Sequence, residues 1–246
     1  MKVWKTLSIA LCAFCVFPGT VAQAETDTEI IFRDIPWGTS YAEVQQILNE
    51  FDWYDMSFDY MRHYPVEEVL TDDYDYYSIE FNNGGINMTA QPFSQKETSV
   101  AGYTTSDIEL FFAYVPVNGT LTKDASDTAL YGARYIFEPQ NVSSMSNDLI
   151  EKLSSLYGDP DETTADTDMW GNKTTYTWWN GANNTVVVLR ALDSSGDSTG
   201  FYDDELWISY AWKNGDSLLL EADNAVNMSG YSEESSNYGN GNTDGL

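Results

Sequence analysis

His63 is the one imidazole in this chain, and Cys12 and Cys15 are its two thiols. A Ser-His-Asp set would have to use His63, which stands in an acidic, aromatic stretch, and no Gly-x-Ser-x-Gly turn presents a serine. Both cysteines fall inside an N-terminal leader, so the rest of the chain has neither a Cys-His pair nor the His and Cys ligands that zinc requires. Oxygen ligands are plentiful. Asp159, Asp161, Glu162, Asp166 and Asp168 could face calcium from one loop, but they lack the alternate spacing, central Gly and distal Glu of an EF-hand, and a solvated acidic loop is expected. Paired carboxylates for glycoside hydrolysis depend on a separation in space that sequence does not give, and no strand end isolates a Glu among apolar residues. Asn83-Gly84-Gly85 lacks the lysine of a phosphate loop and reads as a hairpin turn. The expectation is a non-enzymatic protein with no cofactor and no metal.

Aromatic side chains carry the remaining chemical signal. Trp and Tyr give large contact areas at small entropic cost, dominate binding hot spots and stack on sugars. If Leu110, Phe112, Tyr114, Leu206, Ile208 and Tyr210 face a helix, period-two alternation sends Phe111, Trp179 and Trp207 to the opposite sheet face, beside Ala113, Thr177 and Ser209. Phe111, Trp179 and Trp207 are therefore the candidate binding residues, for a protein or a glycan. Trp178, with Phe81, is assigned to the inner face.

The elements that would position them come twice. Glu109-Leu110-Phe111-Phe112-Ala113-Tyr114-Val115 echoes Glu205-Leu206-Trp207-Ile208-Ser209-Tyr210-Ala211, and residues 79–84 and 31–32 similarly echo 176–181 and 136–137. In the first copy a strand is expected over 30–35, stopped by Pro36 and Gly38. A helix follows with Ser40 and Glu43 at capping-box spacing and Val44, Ile47, Leu48 and Phe51 on its apolar face. Residues 52–75 are acidic and aromatic, with helical character only over 65–70; strands follow over 76–81, 86–91, 100–103 and 107–116. The second copy reads as a strand over 130–137, a helix to Tyr157 with Met145, Leu149, Leu153 and Leu156 inward, an acidic loop over 159–168, and strands over 173–179, 184–192 and 205–212. The fold class is thus α+β, two tandem β-α-β-β-β units, each a helix packed on an antiparallel sheet.

Domain boundaries follow from composition. Lys2 and Lys5, the apolar run 7–17 and Ala22-Gln23-Ala24 read as a signal peptide over 1–24, cleaved after Ala24 to release a secreted product. The first unit covers 25–117, a polar linker 118–129, the second unit 130–221, and a disordered acidic tail 222–246. Against 39 acidic residues stand 11 basic ones, a net charge of −28, and two of those basic residues leave with the leader. Such a field repels nucleic acid and anionic lipid surfaces and favours basic proteins, cationic peptides or divalent cations, and keeping an exported protein soluble is the plainer use of it. No later segment is long and apolar enough to span a membrane, and packing must stabilise the fold without disulfides.

The opening Phe32-Arg33-Asp34-Ile35-Pro36-Trp37-Gly38-Thr39-Ser40 resembles the start of an uncharacterised group of exported bacterial proteins with the pattern F-R-G-I-P-W-G-S-S, Asp34 standing at its Gly; the closing Asp244-Gly245-Leu246 is also similar. That resemblance implies export and a shared fold, with no activity attached. The tandem plan, with the Leu156-Tyr157-Gly158-Asp159-Pro160 helix end, is similar to the duplicated helix-on-sheet β-lactamase inhibitor proteins and small outer-membrane assembly lipoproteins, which grip other proteins.

Overall fold

The computed structural model describes residues 28–49, 51–55, 64–71, 85–92, 98–122, 124–197, 199–200 and 202–225. Residues 1–27, in which a leader is expected, His63, the strand expected over 76–81, residues 82–84 of its turn and residues 226–246 lie outside them. The protein is α+β, built on antiparallel sheet. Its strands are β1 (Phe51–Asp55), β2 (Gly85–Pro92), β3 (Thr98–Val100), β4 (Tyr103–Thr105), β5 (Asp107–Tyr114), β6 (Thr128–Phe137), β7 (Glu162–Thr167), β8 (Lys173–Gly181), β9 (Thr185–Asp193) and β10 (Glu205–Trp212). The helices are α1 (Tyr41–Ile47), α2 (Val66–Thr71), α3 (Val142–Tyr157) and α4 (215–225). Eight strands make one sheet in the order β1-β2-β5-β6-β10-β9-β8-β7, and β3 with β4 makes a small hairpin beside it. No described cysteine, and hence no disulfide, contributes, and no described helix is long and apolar enough to cross a membrane.

Alternation along the strands gives the sheet two apolar faces, because successive side chains point to opposite sides. On one face Leu110, Phe112, Tyr135, Phe137, Leu189, Leu206, Ile208 and Tyr210 pack with Val44 of α1, with Leu48 just past its end, and with Met145, Leu149 and Leu153 of α3. On the other, Phe111, Ala113, Tyr131, Val186, Val188 and Ala211 pack with Val66, Val69 and Leu70 of α2 and Leu219 of α4. Gly132 lets α2 lie directly on β6, since a Cβ there would come 2.8 Å from a Val69 methyl.

Several expectations are met. Ser40 and Glu43 form the capping box of α1, α3 ends at Gly158 with φ 87°, and β2, β5, β6, β8, β9 and β10 fall where strands were expected. Others are corrected. Residues 30–35 are not a strand: Phe32 to Ile35 make a tight turn, with Arg33 and Asp34 at φ 50° and 60° and Ile35 N donating to Phe32 O at 2.8 Å. The helix α1 stops at Ile47, so Ile47 is exposed and Phe51 belongs to β1; Leu156 of α3 is exposed as well. The acidic loop expected over 159–168 contains the edge strand β7, whose threonines suit extended backbone and whose carboxylates stay in water. The strand β6 starts at Thr128, inside the segment expected as a linker over 118–129, and residues 115–127 connect it to β5 through an Asn118-Gly119 turn. Beyond residue 221, α4 continues to residue 225 with Ala222 and Ala225 buried, so order extends past the expected start of the tail.

Candidate functional site

Phe111, Trp179 and Trp207 do not meet as an exposed platform. Phe111 lies in the core under α2, 1% exposed. Trp179 is equally buried, but on the α1/α3 face, where its indole Nε1 donates to Gly158 O at 3.0 Å. The assignment of the neighbouring tryptophans is inverted: Trp178, expected inward beneath the helices, packs with the α2 face instead. The reason is register, for β8 sets Trp179 opposite Val187 of the α1/α3 face and Trp178 opposite Val188 of the other.

Trp207 is on the expected face and partly exposed, yet its ring is already occupied. Arg134 of β6 and Arg190 of β9 each place a guanidinium carbon 4.4 Å from the Trp207 ring centroid. The strands β6 and β9 flank β10, so the two cations approach the ring from opposite sides. Each is tethered by a carboxylate: Arg134 donates to Glu109 at 3.1 Å and Arg190 to Glu205 at 2.7 Å. Arg134 also donates to the carbonyls of Glu68 and Val69, at 3.0 and 2.8 Å, and so ties α2 to the sheet. A sugar face or a ligand cation could stack on Trp207 only by displacing a guanidinium.

The concave feature of this region lies where β6 ends and β10 begins. An open cleft of about 790 Å³ is lined by Ile136, Phe137, Pro139, Ser106, Ser194, Ser195 and Trp207, together with the carboxylates of Glu138, Asp203, Asp204 and Glu205. Among the described residues no lysine or arginine lines it. Asp204 is used within the loop, accepting from Ser194 N and Oγ at 3.0 and 2.9 Å, and Glu205 is held by Arg190. Glu138 and Asp203 are exposed.

Beside the cleft, and next in sequence to Asp203, stands an aromatic tip that the sequence reading passed over. Trp170 in the β7–β8 turn and Tyr202 in the β9–β10 loop are 42% and 41% exposed, with ring centroids 5.7 Å apart, and Met169 is more exposed still. Its base is fixed. Gly171 and Gly196 touch backbone to backbone, where a Cβ on either would come within 2.7 Å of the other's carbonyl oxygen. Asp168 accepts from Trp170 N, Asn172 N and Asn172 Nδ2; burial pushes its carboxyl up, but these bonds with that from Gly171 N leave it below its ordinary value. A large aromatic inside an Asp-Met-Trp-Gly-Asn turn was the available clue, because turns favour small polar residues.

Among the described residues no three His, Cys, Asp or Glu side chains converge as metal ligands. Asp161, offered as a calcium ligand, accepts instead from Asn180 N and Nδ2 at 2.6 and 3.0 Å. The tyrosines clustered on the α1/α3 face are poor bases: burial pushes Tyr135 up to about 12 and Tyr210 well above its ordinary value, so both stay protonated at neutral pH. Comparison of the chain with protein-family models, with curated proteins and with solved structures gives no match in any of the three.

Proposed function

We propose that this chain is an exported, non-enzymatic binding module whose open acidic cleft receives a positively charged group of its partner. The observation that carries this reading is the lining of that cleft by the described residues: four carboxylates, no basic side chain, and an apolar wall of Ile136, Pro139 and Trp207. Such a site suits a lysine or arginine side chain, whose stem packs on the wall while its head meets Glu138 and Asp203. The overall charge of −28 would draw basic partners toward it. Export rests on the N-terminal leader pattern and on the resemblance of the Phe32–Ser40 opening to exported proteins; N-terminal sequencing of the mature protein should begin at Glu25.

The test is calorimetric titration with a lysine-rich peptide and with its acetyl-lysine counterpart. The Glu138→Gln/Asp203→Asn variant should bind the first about tenfold more weakly, a loss of about 1.4 kcal/mol, and the acetylated peptide should bind weakly to both proteins. Unchanged affinity in the variant would remove the reading.

A glycan-binding reading is favoured by one different observation, the exposed Trp170–Tyr202 pair beside hydroxyl and carboxylate groups. Retention on a glycan array that is lost in Trp170→Ala/Tyr202→Ala would establish it, and an array without hits would end it.

We infer also that the chain descends from one duplicated unit. Supporting this, β5 and β10 each begin near a Glu-Leu pair and flank β6, and α1 and α3 share one sheet face. The reading has to accommodate a register in which Glu109 and Ser209, not Glu109 and Glu205, sit on either side of Arg134.

A further inference from the structure

We propose that the free edge of β7 is a strand-addition surface that accepts an extended, basic segment of a partner protein. This goes beyond the cleft, which lies at the end of β6 and β10, whereas β7 is the outermost strand of the sheet. All six of its residues, Glu162 to Thr167, are exposed, and among the described residues nothing pairs with its outer edge.

Backbone polarity along that edge follows from the ladder. Register pairs Glu162 with Trp178 through Thr167 with Lys173, and Asp168 N donates to Asn172 O at 3.0 Å, extending the same register by one pair. Hydrogen-bonded pairs alternate in antiparallel sheet. Residues 162, 164, 166 and 168 therefore bond toward β8, and 163, 165 and 167 present their N–H and C=O groups outward. The outward N–H of Thr167 is bonded by the Asp166 carboxylate at 2.8 Å, which fits that assignment and leaves Thr163 and Ala165 as the docking positions.

Edges are normally guarded by lysines, prolines, bulges or very short strands. The sequence Glu-Thr-Thr-Ala-Asp-Thr has no lysine or proline, and its register is unbroken over six residues. What it has is negative charge on one side. Glu162 and Asp166 share the face of Trp178 and Thr174, their partners on β8, with Thr164 between them. Like charges directly across a ladder repel and opposite charges attract. A second copy of this acidic strand, in a chain of net charge −28, is thus turned away, and a strand with lysine or arginine at alternate positions is admitted. Main-chain bonds to Thr163 and Ala165 would supply affinity and the two carboxylates the selection.

The experiment uses the full mature chain and two hexapeptides, one alternating Lys with Thr and one alternating Glu with Thr, followed by residue-resolved amide hydrogen exchange. The basic peptide should slow exchange at Thr163 and Ala165 about tenfold or more at saturation, and the acidic peptide should do nothing. Ala165→Pro removes an outward N–H without touching a bond to β8, so it should abolish the protection; Glu162→Lys/Asp166→Lys, a surface change that keeps the backbone, should weaken it at least about tenfold. The Glu138→Gln/Asp203→Asn variant should retain it in full, which separates this surface from the cleft. Protection that survives the charge reversal, that falls elsewhere, or that is absent would overturn the proposal. So would protection that rises with protein concentration alone, since the occupant would then be a second copy.

Discussion

Replacing Arg134 by methionine should cost about 4 kcal/mol of folding free energy, and the same change at Arg190 only about 1. Both guanidiniums lie 4.4 Å from the same indole, so the contact with Trp207 does not distinguish them. Their surroundings do. The Arg134 side chain is 4% exposed, and it serves Glu109, Ser209 Oγ and the carbonyls of Glu68 and Val69. Its loss withdraws a donor from several polar groups at a place water reaches poorly, at about 1–3 kcal/mol for each group left unsatisfied. Part of that is offset because a buried cation no longer has to be desolvated. Arg190 pairs with Glu205, whose side chain is 39% exposed and can rehydrate, and the buried Nε of Arg190 has no acceptor among the described residues. For a domain of this size the two variants should melt about 8–16 °C and about 2–4 °C below the parent. Urea unfolding followed by tryptophan fluorescence measures both, with an unchanged m-value as the sign that only stability has moved. Equal losses at the two positions, or a loss below about 1.5 kcal/mol for Arg134→Met, would refute the claim that Arg134 anchors α2.

Trp179→Ala should destabilise by about 3–5 kcal/mol as a cavity opens beneath α3, whereas Trp170→Ala should cost about 1 kcal/mol, the worth of one ring contact; urea midpoints decide the order. Lys152, bonding first, and Tyr103 hold the Asp148 carboxyl below its ordinary value, tying the β3–β4 hairpin to α3. A carboxyl depressed by folding adds stability above its unfolded value, about 3.9, and loses it as pH falls through the folded value. Melting temperatures of the parent and of Asp148→Asn should therefore differ by a constant amount above about pH 4 and converge below. Because the group is exposed the gap should shrink with salt, and a gap independent of pH would count against the tether.

Much of the framework was legible because its signals are local. Ser40 with Glu43, Gly158 after Tyr157, and the alternating stretches that became β5, β9 and β10 each carry their cue within a few residues. The misread features depend on partners distant in sequence. Two adjacent tryptophans give no sign of which one faces inward until β9 fixes the register, so Trp179 was placed on the wrong side. Acidic, threonine-rich β7 has no apolar face to advertise a strand, since it caps a sheet edge with both sides in water. Leu219, Ala222 and Ala225 follow helical spacing, but two of the three are alanines and the signal sank into the polar sequence around them. The sequence assigns Arg134 and Arg190 no place; that Arg134 is clamped under α2, with Trp207 between it and Arg190, is a product of three strands meeting side by side.

The central position of β6 bears on how such a chain is made. One of its flanks can zip to β5 as soon as the Asn118-Gly119 turn closes, but the other must wait until Glu205–Trp212 has been synthesised. In the interval Thr128–Phe137, apolar on both sides, offers an open flank to any neighbouring nascent chain. Cutting the gene at 118–129 would make that interval permanent for the downstream fragment and would leave the upstream one without its central neighbour. Assembly from separately expressed halves should thus proceed only when both are present together.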